Sequence, residues 1–365
     1  MQLQDMIDSL SYPCTHNYML DTLEPVGNLK DRMEIIPHDF FNGNNFLDVG
    51  CSKGFFSLLA KRNCNHVESI EPSKEYHDLC VKLGLNVKNI SFRDYTTDLE
   101  FDRVMLGNVV HYLFMESGWD FIKKLACIST DLMLVECPTE KCSDLKDMFP
   151  NYDFNIFKQE MSAFFTLLWE TDSPSPDRMI MMWKRNDDQF SKRYEMSDIN
   201  LGKVIKNDAN STTYLSDKIT KIYPEINKNS IKIASLSPIS NGLTGFVYDG
   251  EKCVGWIEDK LNGKLLEYKH KQNLVFKKIC EHGRFLARVG YFDIDTSMIN
   301  FIDMKLFDKG AVIPISEITE NIVNYFDTML RNSYDILSDE FITRLKDAII
   351  TKDSKKIEDI YELAW

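Results

Sequence analysis

The sequence lacks the features of a membrane-embedded, secreted or zinc-binding protein. No apolar run approaches the roughly 20 residues that a bilayer-spanning helix needs, and the N-terminus has no basic-then-apolar signal pattern. The nine cysteines are scattered, and no two of them form a Cys-x-x-Cys pair. Because an odd and unpatterned set of cysteines is typical of reduced thiols, we expect a cytoplasmic protein with neither disulfides nor a metal site.

Positive charge is scarce relative to negative charge. The chain has 43 Lys and Arg residues against 56 Asp and Glu residues, which gives a formal net charge of −13. This balance argues against attraction of the whole surface to nucleic acid, although it is compatible with a local basic groove. The 365 residues, 44% hydrophobic and 27% charged, have the composition of a folded protein of about two domains.

The dinucleotide-binding pattern Gly-x-Gly-x-x-Gly is also absent, but a different glycine turn separates a strand pattern from a helix pattern. It reads Asp48-Val49-Gly50-Cys51-Ser52-Lys53-Gly54, and a helix pattern follows from Phe55. Glycine permits positive φ and a close approach of the backbone to a ligand, and the first amides of the helix point into the same space. The stretch therefore predicts a ligand-binding turn at the end of a buried strand.

Three later apolar runs have the form of further strands in the same sheet, at residues 67–70, 90–92 and 103–106. Each run ends at small or polar residues that can contact a ligand, namely Glu71 and Pro72, Asp94 and Tyr95, and Gly107 and Asn108. Gaps of helix length separate the runs, as expected of βαβ units.

Together these four signals resemble motif I and the later motifs of the class I S-adenosylmethionine (SAM)-dependent methyltransferases, over roughly the first half of the chain. The resemblance implies SAM as cofactor. It implies that the turn amides and Asp48 position the cofactor, that Gly50 and Gly54 leave room for it, and that Glu71 holds its ribose. The full set of implied cofactor-binding residues is Asp48, Gly50, Cys51, Ser52, Gly54, Phe55, Glu71, Pro72, Asp94, Tyr95, Gly107 and Asn108.

The acceptor side is represented by the stretch that follows the fourth strand, Asn108-Val109-Val110-His111-Tyr112-Leu113. It lies at the open end of the sheet, where ligands of α/β folds bind. His111 is the candidate catalytic residue, because an imidazole can take a proton from a hydroxyl acceptor near neutral pH. A packed histidine at the start of a helix is an equally good interpretation.

Motifs for several other acceptors are missing. No Asp-Pro-Pro-Tyr or Asn-Pro-Pro-Tyr is present, which argues against amino methylation of a DNA base, and no Pro-Cys follows the fourth strand, which argues against attack on cytosine C5. The Lys-Asp-Lys-Glu set of ribose 2′-O-methyltransferases is incomplete, because Asn108 stands where its aspartate would be. The Asn-Val-Val-His form is more similar to enzymes that act on small molecules, glycans or tRNA bases.

The predicted fold is an α/β Rossmann-like sheet of seven strands with a second α+β domain. A fifth strand is expected at residues 132–135, and the resemblance implies a final antiparallel hairpin, for which 164–170 and 178–183 are suited. We place the methyltransferase domain at residues 1–188, a linker or loosely packed segment at 189–229, and the α+β domain at 230–365.

In the second domain we expect strands at 231–235, 244–248 and 253–258, a helix at 265–280, strands at 285–293 and 298–307, and helices from 316 onward. This order resembles, more weakly, the small lobe of protein kinases. Gly242-Leu243-Thr244-Gly245 would be its phosphate-covering loop, and Met304-Lys305-Leu306-Phe307 its interlobe connection. Val254-Gly255-Trp256-Ile257 contains no lysine, and His-Arg-Asp and Asp-Phe-Gly are absent. We therefore expect a binding or docking module rather than a kinase.

The sequence thus predicts a SAM-dependent methyltransferase that acts on a hydroxyl or phosphate-type oxygen of a small molecule or glycan. The C-terminal domain would recognise the acceptor or a protein partner. Two alternatives stay open, an RNA methyltransferase and a non-catalytic regulatory subunit with a methyltransferase fold. The second is disfavoured because a scaffold has no physical reason to keep an open glycine turn and the acidic Glu71.

Overall fold

The computed structural model describes residues 3–10, 17–142, 148–186, 190, 192–207, 211–216, 218–224, 226–237, 240, 243–259, 272–295, 301–302, 305–306, 312–333 and 337–364. The chain forms two compact units, Met1–Asn186 and Asp187–Trp365. Within the described residues, no helix is both long and apolar enough to cross a membrane.

The described part of the first unit contains nine strands, of which the first two form a small separate ladder. They are β1 (Tyr18–Met19), β2 (Glu24–Pro25), β3 (Asn45–Val49), β4 (His66–Ile70), β5 (Val87–Lys88), β6 (Phe101–Gly107), β7 (Ser129–Pro138), β8 (Phe165–Asp172) and β9 (Arg178–Arg185). The other seven form one sheet in the order β5-β4-β3-β6-β7-β9-β8. Strands β3 to β7 are parallel, whereas β9 is antiparallel to both β7 and β8. This confirms the predicted seven-stranded sheet with its final antiparallel hairpin.

Seven helices accompany this sheet in the described part of the first unit. They are α1 (Leu3–Ser9), α2 (Asn28–Ile35), α3 (Phe55–Ala60), α4 (Lys74–Lys82), α5 (Val110–Ser117), α6 (Asp120–Ile128) and α7 (Phe154–Ser162). The central strand β3 is buried from Phe46 to Val49, because strands of a parallel sheet are covered on both faces. Phe40, Phe41, Phe46 and Phe56 pack together in this core.

Strand β5, the third strand of the seven-stranded sheet along the chain, begins earlier than expected. It comprises Val87–Lys88, which pair with Ser69 and Ile70 of β4, whereas the expected strand at 90–92 is a turn. The strand lies at the edge of the sheet. The apolar side chain of Phe92 is buried, but in a loop rather than in the ladder.

The second unit contains a six-stranded sheet, and this corrects the expected linker at 189–229. Its strands are β10 (Arg193–Glu195), β11 (Lys203–Asn207), β12 (Thr212–Leu215), β13 (Lys218–Ile222), β14 (Leu243–Asp249) and β15 (Lys252–Asp259), in the order β10-β14-β15-β13-β12-β11. Four of these strands fall within the expected linker. Their sequences are rich in Lys and Thr and lack a clear alternation of apolar and polar residues. These strands are recognised from their backbone pairing with neighbouring strands.

The rest of the second unit is mainly helical. Its helices are α8 (Lys228–Ser235), α9 (Gln272–Arg288), α10 (Glu320–Ser333), α11 (Asp339–Ile350) and α12 (Ser354–Leu363). Two short ladders pair β16 (Tyr291–Asp293) with β19 (Val312–Pro314), and β17 (Phe301–Ile302) with β18 (Lys305–Leu306). A second α+β domain was predicted, and it is confirmed.

The element order expected inside this unit is wrong in two places. Residues 231–235, predicted as a strand, belong to α8, whose start is capped by Asn227 through a 2.9 Å bond from the Ser230 N–H. Helix α9 continues to Arg288, so that only Tyr291–Asp293 of the predicted strand 285–293 is extended. Residues 261–271 and the ends of the expected kinase-like loops, at 241–242, 304 and 307, lie outside the described residues.

Candidate active site

A cavity of about 320 Å³ opens at the C-terminal ends of the central strands of the first unit. Gly50 follows β3, Glu71 follows β4, and Gly107 ends β6, and all three line the cavity. Strand β3 lies between β4 and β6 in the sheet. The chain passes from β3 to β4 and β5 on one side of β3, and then crosses to β6 on the other side. The cavity therefore lies at the topological switch point of the sheet. Its size is within the range of small-molecule sites.

The turn after β3 requires a glycine at its first position. Gly50 has φ +73°, and a Cβ atom at this position would lie 2.5 Å from Cγ1 of Val109, another residue of the cavity wall. Gly54 also has positive φ, but its missing side chain makes room for Leu85 and Cys80. Gly50 therefore shapes the cavity directly, whereas Gly54 allows close packing between the turn and α4.

Ser52 and Glu71 form a polar corner of the cavity. The Ser52 N–H donates to Oε2 of Glu71 over 2.8 Å, and the Ser73 N–H donates to Oε1 over 2.9 Å. Burial raises the pKa of Glu71, and these two hydrogen bonds oppose the rise. Ser52 holds φ +50°, and its buried Oγ has no hydrogen-bond partner among the described residues. Strained backbone and an unsatisfied hydroxyl in one wall are features typical of ligand sites.

Asn108 occupies the opposite wall in a similar conformation. Its φ is +62°, which is uncommon for a residue other than glycine. Nε of Arg178 donates to its Oδ1 over 2.7 Å. Arg178 also lines a second cavity of about 300 Å³, together with residues of the β7 end and the β8–β9 turn. Among the described residues, no carboxylate lies within ion-pair distance of Arg178, so a guanidinium without a carboxylate partner stands beside both cavities.

Six of the twelve predicted cofactor-binding residues line the first cavity, namely Gly50, Ser52, Glu71, Pro72, Gly107 and Asn108. The other six, Asp48, Cys51, Gly54, Phe55, Asp94 and Tyr95, do not. Their assignment as cofactor contacts stays a prediction, and the structure gives each of them a different environment.

Asp48 lies beneath the glycine turn rather than in the wall. Its carboxyl is buried and accepts a 2.6 Å hydrogen bond from Oγ of Ser57, which in turn accepts one from Oγ of Ser69. Burial raises the pKa of Asp48 to about 7, because the hydrogen bond from Ser57 offsets only part of the desolvation and the Glu71 carboxylate adds repulsion. Asp48 therefore stabilises the glycine turn through its buried contact with Ser57 and does not line the cavity.

Cys51 and Phe55 point into the protein interior. The Sγ atoms of Cys51 and Cys80 lie 3.7 Å apart, and both thiols are buried. The ring of Phe55 packs at 5.3 Å from Tyr18 and 5.4 Å from Phe56. These contacts fix the position of the turn and of α3.

The expected adenine contact at Asp94 is displaced from the cavity. Asp94 is exposed, and its Oδ2 accepts a 3.1 Å hydrogen bond from Oγ of Ser91. Tyr95 is fully buried, with its ring 6.2 Å from that of Phe92. Phe92 itself lines the cavity, with Glu116.

Several wall residues were not among the predicted cofactor-binding residues, although Tyr112 and Leu113 belong to the stretch expected on the acceptor side. Helix α5 contributes Tyr112, Leu113 and Glu116, and the start of α4 contributes Ser73 and Tyr76. The spacing of Leu113 and Glu116 by three residues places them on one helical face. The sequence shows this spacing, but it indicates a shared face only when both residues lie on one helix, as they do on α5.

His111 is buried and does not belong to the cavity wall. Its ring centroid lies 4.2 Å from that of Tyr112 and 4.9 Å from that of Phe149. Burial, and then the nearby Arg178, lower the pKa of His111 to about 4. Nδ1 has no hydrogen-bond partner among the described residues. Of the two interpretations of His111, this geometry favours the packed histidine.

The N-terminal segment is tied to the glycine turn. The Tyr18 hydroxyl donates to the Lys53 carbonyl over 2.7 Å. The fully buried Lys53 ammonium donates to the Ile7 carbonyl over 2.9 Å and to Oδ1 of Asn17 over 2.6 Å. Residues before β3 thus pack against the turn that bounds the cavity.

Known proteins offer only distant comparisons. No protein-family model matches the sequence, and no curated protein is significantly similar to it. Among solved structures, the bifunctional kinase-methyltransferase WbdD is 17% identical over 99% of this chain and 94% of its own, with a TM-score of 0.41. The N-methyltransferase NodS from Bradyrhizobium japonicum is 13% identical over 43% of this chain and 97% of its own, with a TM-score of 0.36.

A third solved structure, the magnesium protoporphyrin IX methyltransferase ChlM from Synechocystis with bound SAM, is 12% identical. It covers 50% of this chain and 79% of its own, with a TM-score of 0.34. All three TM-scores are below 0.5. The fold of the first unit is therefore described from this chain alone, as one seven-stranded sheet of parallel strands with a final antiparallel hairpin, as predicted.

Proposed function

We propose that the first unit binds SAM in the cavity between Gly50, Glu71 and Asn108 and transfers its methyl group to an oxygen acceptor. The observation that carries this proposal is the polar corner of the cavity. A buried carboxylate, held by two backbone N–H groups, faces the same space as an unsatisfied serine hydroxyl. Such a corner suits a ligand with vicinal hydroxyls, as in a ribose, since Glu71 keeps lone pairs free to accept from them.

The residues of the chain fit the parts of the cofactor. Glu71 would accept from the ribose hydroxyls, and the backbone beside Gly50 and Ser52 would approach the sugar and the amino-acid moiety. Bound SAM would supply an activated methyl group, so the protein needs mainly to align the acceptor and exclude water. The apolar wall of Ile70, Phe92 and Leu113 serves that exclusion.

For the acceptor, we propose a small molecule or glycan that presents a hydroxyl or phosphate-type oxygen. The second cavity supports this choice, because it meets the first at Asn108 through Arg178. Glu140, Asp172 and Asp177 also line this cavity, but none of them pairs with Arg178, so its planar guanidinium is the group there that is suited to bind a phosphate. A phosphate-type oxygen is already ionised near neutral pH and needs no general base, whereas a hydroxyl acceptor must give up its proton during the transfer.

A titration of the full chain with S-adenosylhomocysteine (SAH), followed by calorimetry, tests the binding step. We expect binding by the wild type, and loss of at least roughly tenfold in affinity for Glu71→Ala, since a hydrogen bond to a charged group is removed. Glu75→Gln is the matched control, because Glu75 is exposed on α4 and does not line the cavity. Absence of binding to the wild type would favour the non-catalytic subunit.

A transfer assay with tritium-labelled methyl groups then separates the acceptors. Incorporation into a phosphorylated glycan or small-molecule pool supports the proposal. Incorporation into RNA only would favour the RNA methyltransferase, against which the net charge of −13 argues.

A second candidate function, phosphoryl transfer by the second unit, rests on Lys221. In protein kinases the phosphate-binding lysine lies on the third strand of an antiparallel sheet, before a helix. Here β11, β12 and β13 form an antiparallel meander, Lys221 lies on the third of these strands, and α8 follows. The kinase-like strands were expected from residue 231 onward. The antiparallel meander instead lies at residues 203–222, within the expected linker.

Lys221 is buried, and its Nζ lies 3.1 Å from Oε1 of Glu258. Glu258 is on β15, whereas kinases use a glutamate on the helix, so the arrangement departs from theirs. Further along, Asp295 and Asn300 have the Asp-x-x-x-x-Asn spacing of a kinase catalytic loop, and Asp308-Lys309-Gly310 follows. Of these, Asn300 and residues 308–310 lie outside the described residues.

Displacement of a fluorescent ATP analogue in the presence of Mg²⁺ tests this candidate. We expect ATP to bind the wild type and the Lys252→Met control, in which an exposed β15 lysine is lost, and to bind Lys221→Met at least roughly tenfold more weakly. Equal nucleotide affinity in all three proteins, or none in the wild type, would leave this unit as a docking module.

A further inference from the structure

Glu116 is a half-buried residue of the cavity wall, and it makes no contact with the polar corner formed by Ser52 and Glu71 among the described hydrogen bonds. Its side chain lines the cavity from α5, together with Leu113 one turn earlier. Its Oε2 atom is buried and has no hydrogen-bond partner among the described residues. A buried carboxylate oxygen without a partner costs free energy unless a ligand supplies a donor.

Three apolar residues line the same cavity as Glu116, and we call this part of the cavity the slot. Phe92 lies on one side in the loop after β5, Leu113 lies on α5, and Pro72 follows Glu71 at the end of β4. A heteroaromatic base fits between such side chains by stacking. A ligand whose sugar is held at Glu71 would extend its base past Pro72 into this slot.

Two buried cations, Lys124 and Arg93, connect the two sides of the slot by donating hydrogen bonds to backbone carbonyls. The Lys124 ammonium donates to the carbonyls of Phe92 and Arg93, over 2.8 and 2.9 Å. Nη1 of Arg93 donates to the backbone carbonyl of Glu116 over 2.7 Å. These bonds join the Phe92 loop to α5, so the two sides of the slot are fixed relative to each other. Burial raises the pKa of the Glu116 carboxyl and a hydrogen bond from the Arg93 backbone N–H opposes the rise, but Oε2 has no hydrogen-bond partner among the described residues.

We propose that Glu116 selects adenine, by accepting a hydrogen bond from the exocyclic amino group of the base through Oε2. This rests on the proposed function, since it concerns the base of SAM in the same cavity. A base with a carbonyl at that position, such as hypoxanthine, would place oxygen against oxygen. Glu116 thereby takes the adenine-edge role that the sequence assigned to Asp94, which is exposed and outside the cavity wall.

A comparison of SAH with S-inosyl-homocysteine tests this assignment by calorimetry on the full chain. We expect the wild type to bind SAH at least roughly tenfold more tightly than the inosyl compound, because a charge-assisted hydrogen bond is replaced by a repulsion. In Glu116→Gln the ratio should fall to within roughly threefold, because the amide both donates and accepts. Glu34→Gln, an exposed change on α2, should keep the wild-type ratio.

Two results would overturn the assignment while leaving SAM binding intact. One is a wild-type ratio below roughly threefold, and the other is an unchanged ratio in Glu116→Gln. If that variant does not fold, as judged by its thermal unfolding, the wild-type ratio decides, supported by Glu116→Asp, which keeps the carboxylate. Failure of the wild type to bind either compound would remove both this inference and the proposed function.

Discussion

The backbone N–H of Ser52 donates to Oε2 of Glu71 over 2.8 Å and so joins the turn after β3 to the end of β4. The bond fixes the distance between the two strand ends that bound the cavity. Ser52 holds a positive φ to make it, and this strain is stored at the point where a ligand would contact the backbone. The geometry of the turn is thus specified before any ligand binds.

The first prediction concerns the close approach at Gly50. In Gly50→Ala the new Cβ would lie 2.5 Å from Val109, so the wall must shift, and we expect SAH affinity to fall at least roughly tenfold. Gly118→Ala is a matched control, because Gly118 also has positive φ but open space around its Cβ position. Both variants should lose roughly 1 kcal/mol of unfolding free energy from backbone strain. Equal SAH affinities in the two variants would contradict the prediction.

The second prediction concerns Asp48 and pH. The folded-state pKa of Asp48 is about 7, above its ordinary 3.8, so between these values the folded state binds more protons than the unfolded state. The contribution of Asp48 to stability is therefore full below about pH 4 and is lost as pH rises to about 7. Asp48→Asn should remove this loss, so its melting temperature relative to wild type should rise from pH 4.5 to pH 7.5.

Asp39→Asn serves as the control for that series, because Asp39 is exposed and lies outside the cavity wall. Its melting temperature relative to wild type should stay constant over the same pH range. A constant difference for Asp48→Asn as well would show that the buried carboxyl is not protonated as described.

The third prediction separates packing from catalysis at His111. Its folded-state pKa is about 4, below the ordinary 6.5, so the unfolded state binds more protons in this range, and stability is lost as pH falls from 6.5 toward 4. His111→Leu should remove this acid sensitivity and retain methyl transfer within roughly tenfold, since a positioned general base would contribute more. A loss above a hundredfold, with SAH affinity and melting temperature unchanged, would restore the catalytic interpretation.

The fourth prediction concerns the acceptor side at Arg178. Arg178→Ala removes the cation without a carboxylate partner and the hydrogen bond to Asn108. We expect the KM for a phosphorylated acceptor to rise at least roughly tenfold, while SAH affinity changes little, because a charge-assisted bond to the acceptor is lost. Arg178→Lys should recover part of the loss. An equal effect on charged and uncharged acceptors would contradict this role.

The cavity wall was predictable from the sequence where local chemistry dictates structure. Gly50 and Glu71 were found because a positive-φ turn and an acidic strand end leave direct signals. Phe92 was read as part of a strand because its apolar run is too short to distinguish a strand from a buried loop. Glu116 was missed, since only the folded helix α5 places its Oε2 atom at the cavity without a hydrogen-bond partner among the described residues.

In the second unit, tertiary pairing overrode local propensity. Lys218–Ile222 has the composition of a polar linker, yet β13 pairs with β15 along its whole length. The capping contact at Asn227 converts the following short apolar run into α8. The pairing of β13 depends on long-range contacts, which a local pattern of side chains does not encode, whereas the Asn227 cap is a local signal that was not used.

The placement of the cofactor is tested most directly by a crystal structure of the chain with SAH. The proposal predicts that the ribose hydroxyls lie within hydrogen-bond distance of the Glu71 carboxylate, beside the backbone of Gly50 and Ser52. Electron density for SAH elsewhere in the molecule, or a cavity closed by its own side chains at saturating ligand, would contradict it.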